Sequence, residues 1–393
     1  MKILLINTLY SPYLLGGTER VVQSLAEGLV KAGNHVVVAT TVPEKGTASD
    51  WINGVKVYHI GLRNLYWPFK DEDNHKVLKP LAHALDTCNL WMAREVERVL
   101  DTERPDVVHT HGLGGFSVLT WRRIKQRRLP LIHTLHDHYL LCPRTTMYRN
   151  GKACKRQCAA CLPYALPRKH LSRHVDLVVG VSQFMLARHL EFGYFGATQE
   201  KRVVPNAYHL EPPEPPPRAR SLPIQFGYLG LLHPNKGLET LLESATRLPK
   251  GTWSLKIAGR GHTKYERYLH EKFESPAIRF VGRVEPETFL SEVDVLVVPS
   301  LWNESFGMVV IEAYAHGVPV IGSDRGGISE LVEAGVTGYL FDPARPGDLI
   351  TKMERYVDRP DLVDDMRPAC LRRARSFSSQ QMIEQYLDAY ATP

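Results

Sequence analysis

Glu211-Pro212-Pro213-Glu214-Pro215-Pro216-Pro217 cannot lie inside a helix or an interior strand. Proline lacks the amide hydrogen and also restricts the residue before it. The run reads as a stiff, extended connector. A chain of 393 residues is already too long for one core and suits two domains of roughly 150–200 residues. The expected division is a first domain over 1–210, a connector over 211–221, a second domain over 222–376 and a last helix over 377–393.

Both halves carry the same alternation. Ile3-Leu4-Leu5-Ile6 is a short continuous apolar run, as expected of a parallel strand covered on both faces. Gly16-Gly17-Thr18-Glu19 follows, and then Val21, Val22, Leu25, Leu29 and Val30 recur at helical spacing. Further buried strands are expected at Val36-Val37-Val38, Val107-Val108, Leu131-Ile132-His133-Thr134-Leu135 and Leu177-Val178-Val179. After the connector the pattern restarts at Ile224-Gln225-Phe226 and returns at Leu255-Lys256-Ile257, Val295-Leu296-Val297-Val298 and Val320-Ile321. Strands alternating with helices predict an α/β protein of two Rossmann-like, doubly wound domains facing across a cleft where ligands bind.

Apolar residues at 44% let both domains bury a core, and six Cys are too few for a disulfide-stapled scaffold. No apolar stretch reaches the ~20 residues of a membrane-spanning helix. The apolar run at 3–6 is far shorter than a signal-peptide core. The expected location is the cytoplasm.

The richest segment is Pro299-Ser300-Leu301-Trp302-Asn303-Glu304-Ser305-Phe306-Gly307-Met308-Val309-Val310-Ile311-Glu312. It predicts a strand end, a polar loop and a helix beginning near Phe306 or Gly307. First-turn amides lack intrahelical partners and, with the helix dipole, attract phosphate. Glu304 falls in the loop, and Glu312 lies about one and a half turns inside the helix.

Here the chain resembles the retaining GT-B glycosyltransferases of family 4. Glu304 and Glu312 match the paired-glutamate signature, and Gly317-Val318-Pro319 with Gly326-Gly327 and Gly338-Tyr339 looks like the same C-terminal domain. Gly16-Gly17, Val204-Pro205-Asn206 and Asn235-Lys236-Gly237 extend the likeness over nearly the whole chain. The resemblance implies a GT-B fold whose C-terminal helix returns to the N-terminal domain, and a nucleotide-diphosphate sugar bound mainly by the second domain. Glu312 would hold the ribose, and Glu304 would lie beside the anomeric carbon. Lys236 and the amides at Gly307 and Met308 would hold the diphosphate, with Ser305, Phe306, Val309 and Arg260 also among the donor-binding residues. Gly16 and Gly17 would approach from the first domain, and His136 would face the donor sugar. The implied activity is retaining, same-face and metal-independent transfer to a hydroxyl of a glycan or lipid-linked acceptor in cell-envelope synthesis. A non-catalytic scaffold and a sugar-nucleotide epimerase are the alternatives. One position departs from the family: Leu231 stands where a diphosphate arginine is usual. Leucine cannot neutralise an oxyanion, so Lys236 acts alone or Arg260 or His233 compensates.

Two features lie outside that likeness. Cys142, Cys154, Cys158 and Cys161 fall within twenty residues. Four close thiols suggest a structural metal, zinc ahead of iron–sulfur, with disulfides or free thiols as the other readings. Residues 120–175 hold thirteen Lys and Arg and a single acid, Asp137. A solvated helix face or a patch for an anionic membrane surface, on the inner face of the cell membrane, would account for them. Nucleic acid is not expected, because no stacking aromatics accompany the charge.

Overall fold

The computed structural model describes residues 1–14, 16–69, 77–208 and 222–391. The Pro-rich connector expected at 211–221 therefore lies outside the described residues. Tertiary contacts divide the chain into two units. Unit 1 comprises Met1–Met147, Lys155–Asn206 and Ser379–Pro393; unit 2 comprises Tyr148–Cys154 and Ala207–Ser378.

Unit 1 is built on β1 (Lys2–Ile6), β2 (His35–Val42), β3 (Thr47–Ile52), β4 (Val55–Gly61), β5 (Val107–Thr110) and β6 (Leu131–Leu135). A short hairpin, β7 (Tyr148–Arg149) and β8 (Lys152–Ala153), belongs to unit 2, and β9 (Leu177–Gly180) and β10 (Glu200–Val203) complete the unit 1 sheet. Its order is β10-β9-β6-β5-β1-β2-β4-β3, parallel except for the edge strand β3. The apolar run Ile3 to Ile6 is wholly buried, as a strand covered on both faces must be. Chain order reverses between β1 and β5, so the loops after these strands open on the same sheet edge.

Helices α1 (Gly17–Lys31), α2 (Lys79–Thr87), α3 (Leu90–Glu103), α4 (Leu119–Gln126) and α5 (Leu162–Leu171) flank this sheet. The final helix, Ser379–Ala391, belongs to the same unit. Gly28 on α1 makes that docking feasible, because a Cβ there would collide with Ile383. The last helix also sends two tyrosines into the sheet. Tyr390 Oη lies 2.7 Å from His109 Nδ1, His109 Nε2 lies 2.8 Å from Thr134 Oγ1, and that hydroxyl lies 3.0 Å from Tyr386 Oη. The chain of bonds satisfies groups that would otherwise be costly to bury.

Unit 2 carries β11 (Ile224–Leu229), β12 (Trp253–Ala258), β13 (Ile278–Gly282), β14 (Val295–Val298), β15 (Val320–Ser323) and β16 (Gly338–Phe341). Their order is β13-β12-β11-β14-β15-β16, all parallel. The reversal falls between β11 and β14.

Unit 1 buries an unusual number of imidazoles. Burial, reinforced by neighbouring histidines, holds His109 and His111 well below the ordinary histidine value, and burial brings His133, His136 and His189 down to about 3. The folded protein keeps them neutral, whereas the unfolded chain protonates them as pH falls through 6.5. Stability is then lost over the window from 6.5 down to about 3. Asp137, raised to about 6 by burial, acts in the opposite sense over a narrower range and is outnumbered. Thermal unfolding should show a transition temperature that drops between about pH 7 and about pH 5, each histidine contributing on the order of 1–2 kcal/mol. A constant or rising transition temperature over that range would contradict the neutral-histidine core.

Candidate functional site

The loops that follow β11 and β14 flank the unit 2 reversal, and they carry the two charged groups singled out in the sequence. After β11 a short 3-10 turn, Pro234–Lys236, is capped by His233, whose Nδ1 accepts from the Asn235 amide at 3.2 Å. The same Nδ1 lies 2.6 Å from Asn235 Oδ1, so the ring is tied to this turn. Gly237 takes φ +72, and any Cβ there would strike the Pro299 carbonyl, so the turn lies directly against the loop after β14. The Leu301 amide donates to the Asn235 carbonyl at 2.8 Å and locks the two loops together.

That contact delivers Lys236 to Glu304. The ammonium lies 2.6 Å from Oε1, which also accepts from Ser300 Oγ at 2.6 Å and from Trp302 Nε1 at 2.9 Å. Lys236 also lies 5.3 Å from the centre of the Trp302 ring. All three donors converge on one carboxylate oxygen, and among the described residues Oε2 takes none. The glutamate backbone is fixed from the other side: Gly327 N donates to Glu304 O at 2.8 Å, and Arg325 Nη1 donates to Leu301 O at 2.9 Å. Gly326, at φ +59, leaves no room for a Cβ beside the Glu304 backbone.

The next helix spans Met308–Ala315, with Gly307 as its N-cap at φ +111. Met308 and Val309 open its first turn, and Glu312 stands half-buried one turn on. Ser305 is half-buried in the approach, but the Phe306 side chain is in the core, its ring 5.8 Å from that of Phe377. Only the backbone of Phe306 is thus available to a ligand. Arg260 follows β12, and its carbonyl accepts from the Leu232 amide at 2.8 Å. The arginine-bearing loop is therefore paired with the loop that has Leu231 in place of a cation. The guanidinium is 70% exposed and 3.7 Å from Glu266.

In unit 1, Gly16 caps α1 and its amide donates to Glu19 Oε2 at 2.8 Å, with Gly17 as the first helical residue. His136 follows β6, is buried, and has Nε2 2.9 Å from Nδ1 of His111 at the end of β5. One of these nitrogens must donate to the other, so the two tautomers are linked. The pairing and the Ser300–Trp302 support of Glu304 are absent from the sequence reading. The order of β5 beside β6 would have been the signal for the first, and the two-residue step from Trp302 for the second.

Cys142, Cys158 and Cys161 converge, with Cys161 Sγ 3.4 Å from Cys158 Sγ and 3.6 Å from Cys142 Sγ. The Gln157 side chain, bonded to Leu141 O at 3.0 Å, ties their two segments together. Burial and the adjacent sulfurs push the Cys161 thiol up to about 12. Cys154 falls in the segment that groups with unit 2. Among the described residues no group of three or more His, Cys, Asp or Glu is disposed to hold a metal ion, so the four-thiolate cage suggested by the spacing is not assembled; the fold provides Cys161 in contact with Cys158 and with Cys142. The basic region is also partly neutralised. Lys125 pairs with Asp176, Arg123 with Glu97, and Arg127 with Glu97 and Asp101.

A family model of the glycosyl transferase 4-like domain matches residues 16–207, and one of the glycosyl transferases group 1 matches residues 223–359. The chain belongs to the group 1 glycosyltransferases. Its fold is the GT-B fold of two parallel α/β sheets. An uncharacterized 42.6 kDa protein of the cps region of Klebsiella pneumoniae is 31% identical over 99% of this chain and 100% of its own length. A sucrose-phosphate synthase from Thermosynechococcus elongatus superposes with a TM-score of 0.77 at 21% identity, covering 99% of this chain and 98% of the other. Anabaena HepE, solved in complex with UDP-glucose, gives 0.72 at 17% identity and covers all of both chains. In this glycosyltransferase the turn after β15, which backs the Glu304 loop, has no room for added bulk. Gly326→Ala should cost on the order of 1–3 kcal/mol by straining a left-handed residue against the Glu304 backbone. Urea unfolding measures it, and an unshifted midpoint would show that the loop has slack.

Proposed function

We propose that this glycosyltransferase is a retaining enzyme that moves a sugar from a nucleotide-diphosphate donor to a hydroxyl of a glycan or lipid-linked acceptor. The observation that carries the reading is the Lys236–Glu304 contact at the β11/β14 reversal, beside the start of the helix Met308–Ala315. A lysine has three donors, so Lys236 can keep Glu304 oriented while neutralising an incoming diphosphate. The first-turn amides of Met308 and Val309 add fixed dipoles on the same charge. Fixed donors aimed at a leaving group stabilise the charge that develops on it, and this requires no metal. Arg260, on the loop paired with that of Leu231, supplies the second cation that the leucine cannot.

Glu312, further along the helix, is the ribose ligand in this reading, and Glu304 contacts the donor sugar. The same-face route has the departing phosphate oxygen take the proton of the acceptor hydroxyl as the new bond forms on the vacated face. His136, kept neutral by burial, can exchange a hydrogen bond with a sugar hydroxyl without placing a positive charge beside the developing oxocarbenium. Gly16 and Gly17 contribute backbone alone. The UDP-glucose complex of Anabaena HepE makes UDP-glucose the first donor to try. The absence of any helix long and apolar enough to cross a membrane among the described residues is compatible with an acceptor met in water or at a membrane surface.

Lys236→Ala should weaken UDP-glucose binding about tenfold to a hundredfold, because it removes a cation from the diphosphate and leaves Glu304 unpaired. Thermal-shift titration with UDP-glucose and related nucleotide sugars measures this, and unchanged affinity would remove Lys236 from the site. Proton NMR of the product should show the donor's anomeric configuration preserved; an inverted linkage would overturn the retaining reading.

A further inference from the structure

Helix α5 mixes its faces where an ordinary surface helix separates them: Ala165 and Leu171 are buried as usual, but so is an arginine. A soluble helix turns its apolar stripe inward and its charges outward. On α5 the inward residue Arg168 is completely buried, whereas Leu162 and Leu166, one turn apart on the outer face, are 40% and 60% exposed. The buried arginine is held by polar partners. Its Nη2 lies 2.9 Å from Thr87 Oγ1 and 3.4 Å from Asp86 Oδ2, and the guanidinium stacks 3.8 Å from the Tyr139 ring centre. Asp86 and Thr87 come from α2, which buries them along with Ala82, while Leu81 is 56% exposed and Leu78, just before it, also faces solvent. The two helices are neighbours. His83 and Tyr164 meet ring to ring at 5.8 Å, and Tyr164 Oη donates to Pro80 O at 3.1 Å. Polar contacts thus hold α2 to α5, and Leu81, Leu162 and Leu166 are left on the outside.

Among the described residues the exposed charge flanking α5 is of one sign. Arg123 and Lys125 of α4, and Arg127 just after it, are engaged by acids of α3 and by Asp176. Lys169 continues the exposed stripe of Leu162 and Leu166 along α5, Arg173 follows in the next turn, and Arg144, Lys155 and Arg156 precede the helix, all exposed. None of these five has an acid partner among the described residues, and no Asp or Glu occurs from 138 to 175.

We propose that the outer face of α2 and α5 docks on an anionic lipid bilayer, with Leu81, Leu162 and Leu166 entering the headgroup–acyl boundary and Lys169, Arg173 and their neighbours meeting the phosphates. Exposed leucines flanked by unpaired cations have the composition of an interfacial helix, whose binding combines apolar burial with attraction to anionic lipid. A second copy of the chain fits worse, because two such faces would bring like charges together. The surface stands independently of the donor site, and the two are tested by different readouts.

Vesicle flotation of the full chain decides it, with phosphatidylcholine vesicles set against vesicles that also contain phosphatidylglycerol. The expected result is binding to the anionic vesicles only, falling as salt rises from about 0.1 M to about 0.5 M. The triple variant Leu81→Glu, Leu162→Glu and Leu166→Glu should reduce that binding at least about tenfold, and Lys169→Glu with Arg173→Glu should do the same. The thermal transition and the shift produced by UDP-glucose should stay as in the parent, since all five side chains are exposed and outside the donor site. Equal binding to neutral vesicles, unchanged binding of the leucine variant, or a dimer in solution that the leucine variant dissociates would each overturn the proposal.

Discussion

A parallel sheet sends the ends of all its strands to one edge, and nearly everything described above follows from that direction. Neighbouring strands that run the same way must be joined by a crossover, so the loops after them collect on one side. Where chain order reverses, the two adjacent loops diverge and leave space between them. In unit 2 this brings the residues after β11 beside those after β14, which is why Lys236 reaches a glutamate 68 positions away at 2.6 Å. In unit 1 the shared direction of neighbouring parallel strands β5 and β6 sets His111 beside His136, from strand ends 25 residues apart. The charged and titratable groups are thus gathered by sheet topology before any side chain selects a rotamer.

Each gathering has a different electrostatic solution. Glu304 is only slightly exposed, yet a cation, a hydroxyl and an indole N–H share one of its oxygens, so the carboxylate is positioned without being used up. The unit 1 imidazoles have no counter-charge and are neutral instead, linked to each other and to tyrosine and threonine hydroxyls. Arg168 takes a third course: it is fully buried, and a carboxylate, a hydroxyl and an aromatic face surround it. Removing one member of such a set leaves a desolvated group without compensation, which is more harmful than never having buried the set.

The division into two α/β halves was legible because short apolar runs such as Ile3 to Ile6 have no other sensible home than a doubly covered strand. Glu304, Lys236 and the glycines around them were legible because the family motif is local in sequence. Supporting partners were less so. Trp302 and Ser300 lie within four residues of Glu304, but which side chains turn toward it depends on a loop conformation fixed by Gly326 and Gly327 on another segment. Phe306 read as a ligand contact by position, although its ring is anchored against Phe377. The basic stretch was overcounted for a related reason: sequence shows the cations of α4 but not the acids of α3 that lie across from them. The exposure of Leu162 and Leu166 on α5 could not be read from periodicity, since a helical pair of leucines looks the same whether it points in or out.

The contact between Gly28 and Ile383 links the first helix of the chain with its last. During synthesis the N-terminal sheet therefore emerges long before the piece that seals it, with a groove on α1 and the polar ends of His109 and Thr134 awaiting tyrosines made some 250 residues later. Unit 2 is translated entirely within that interval. Completion of the first half of the molecule thus waits on the second, and a ribosome that stalls short of Ser379 would release a product with an unfinished core in the half that was made first.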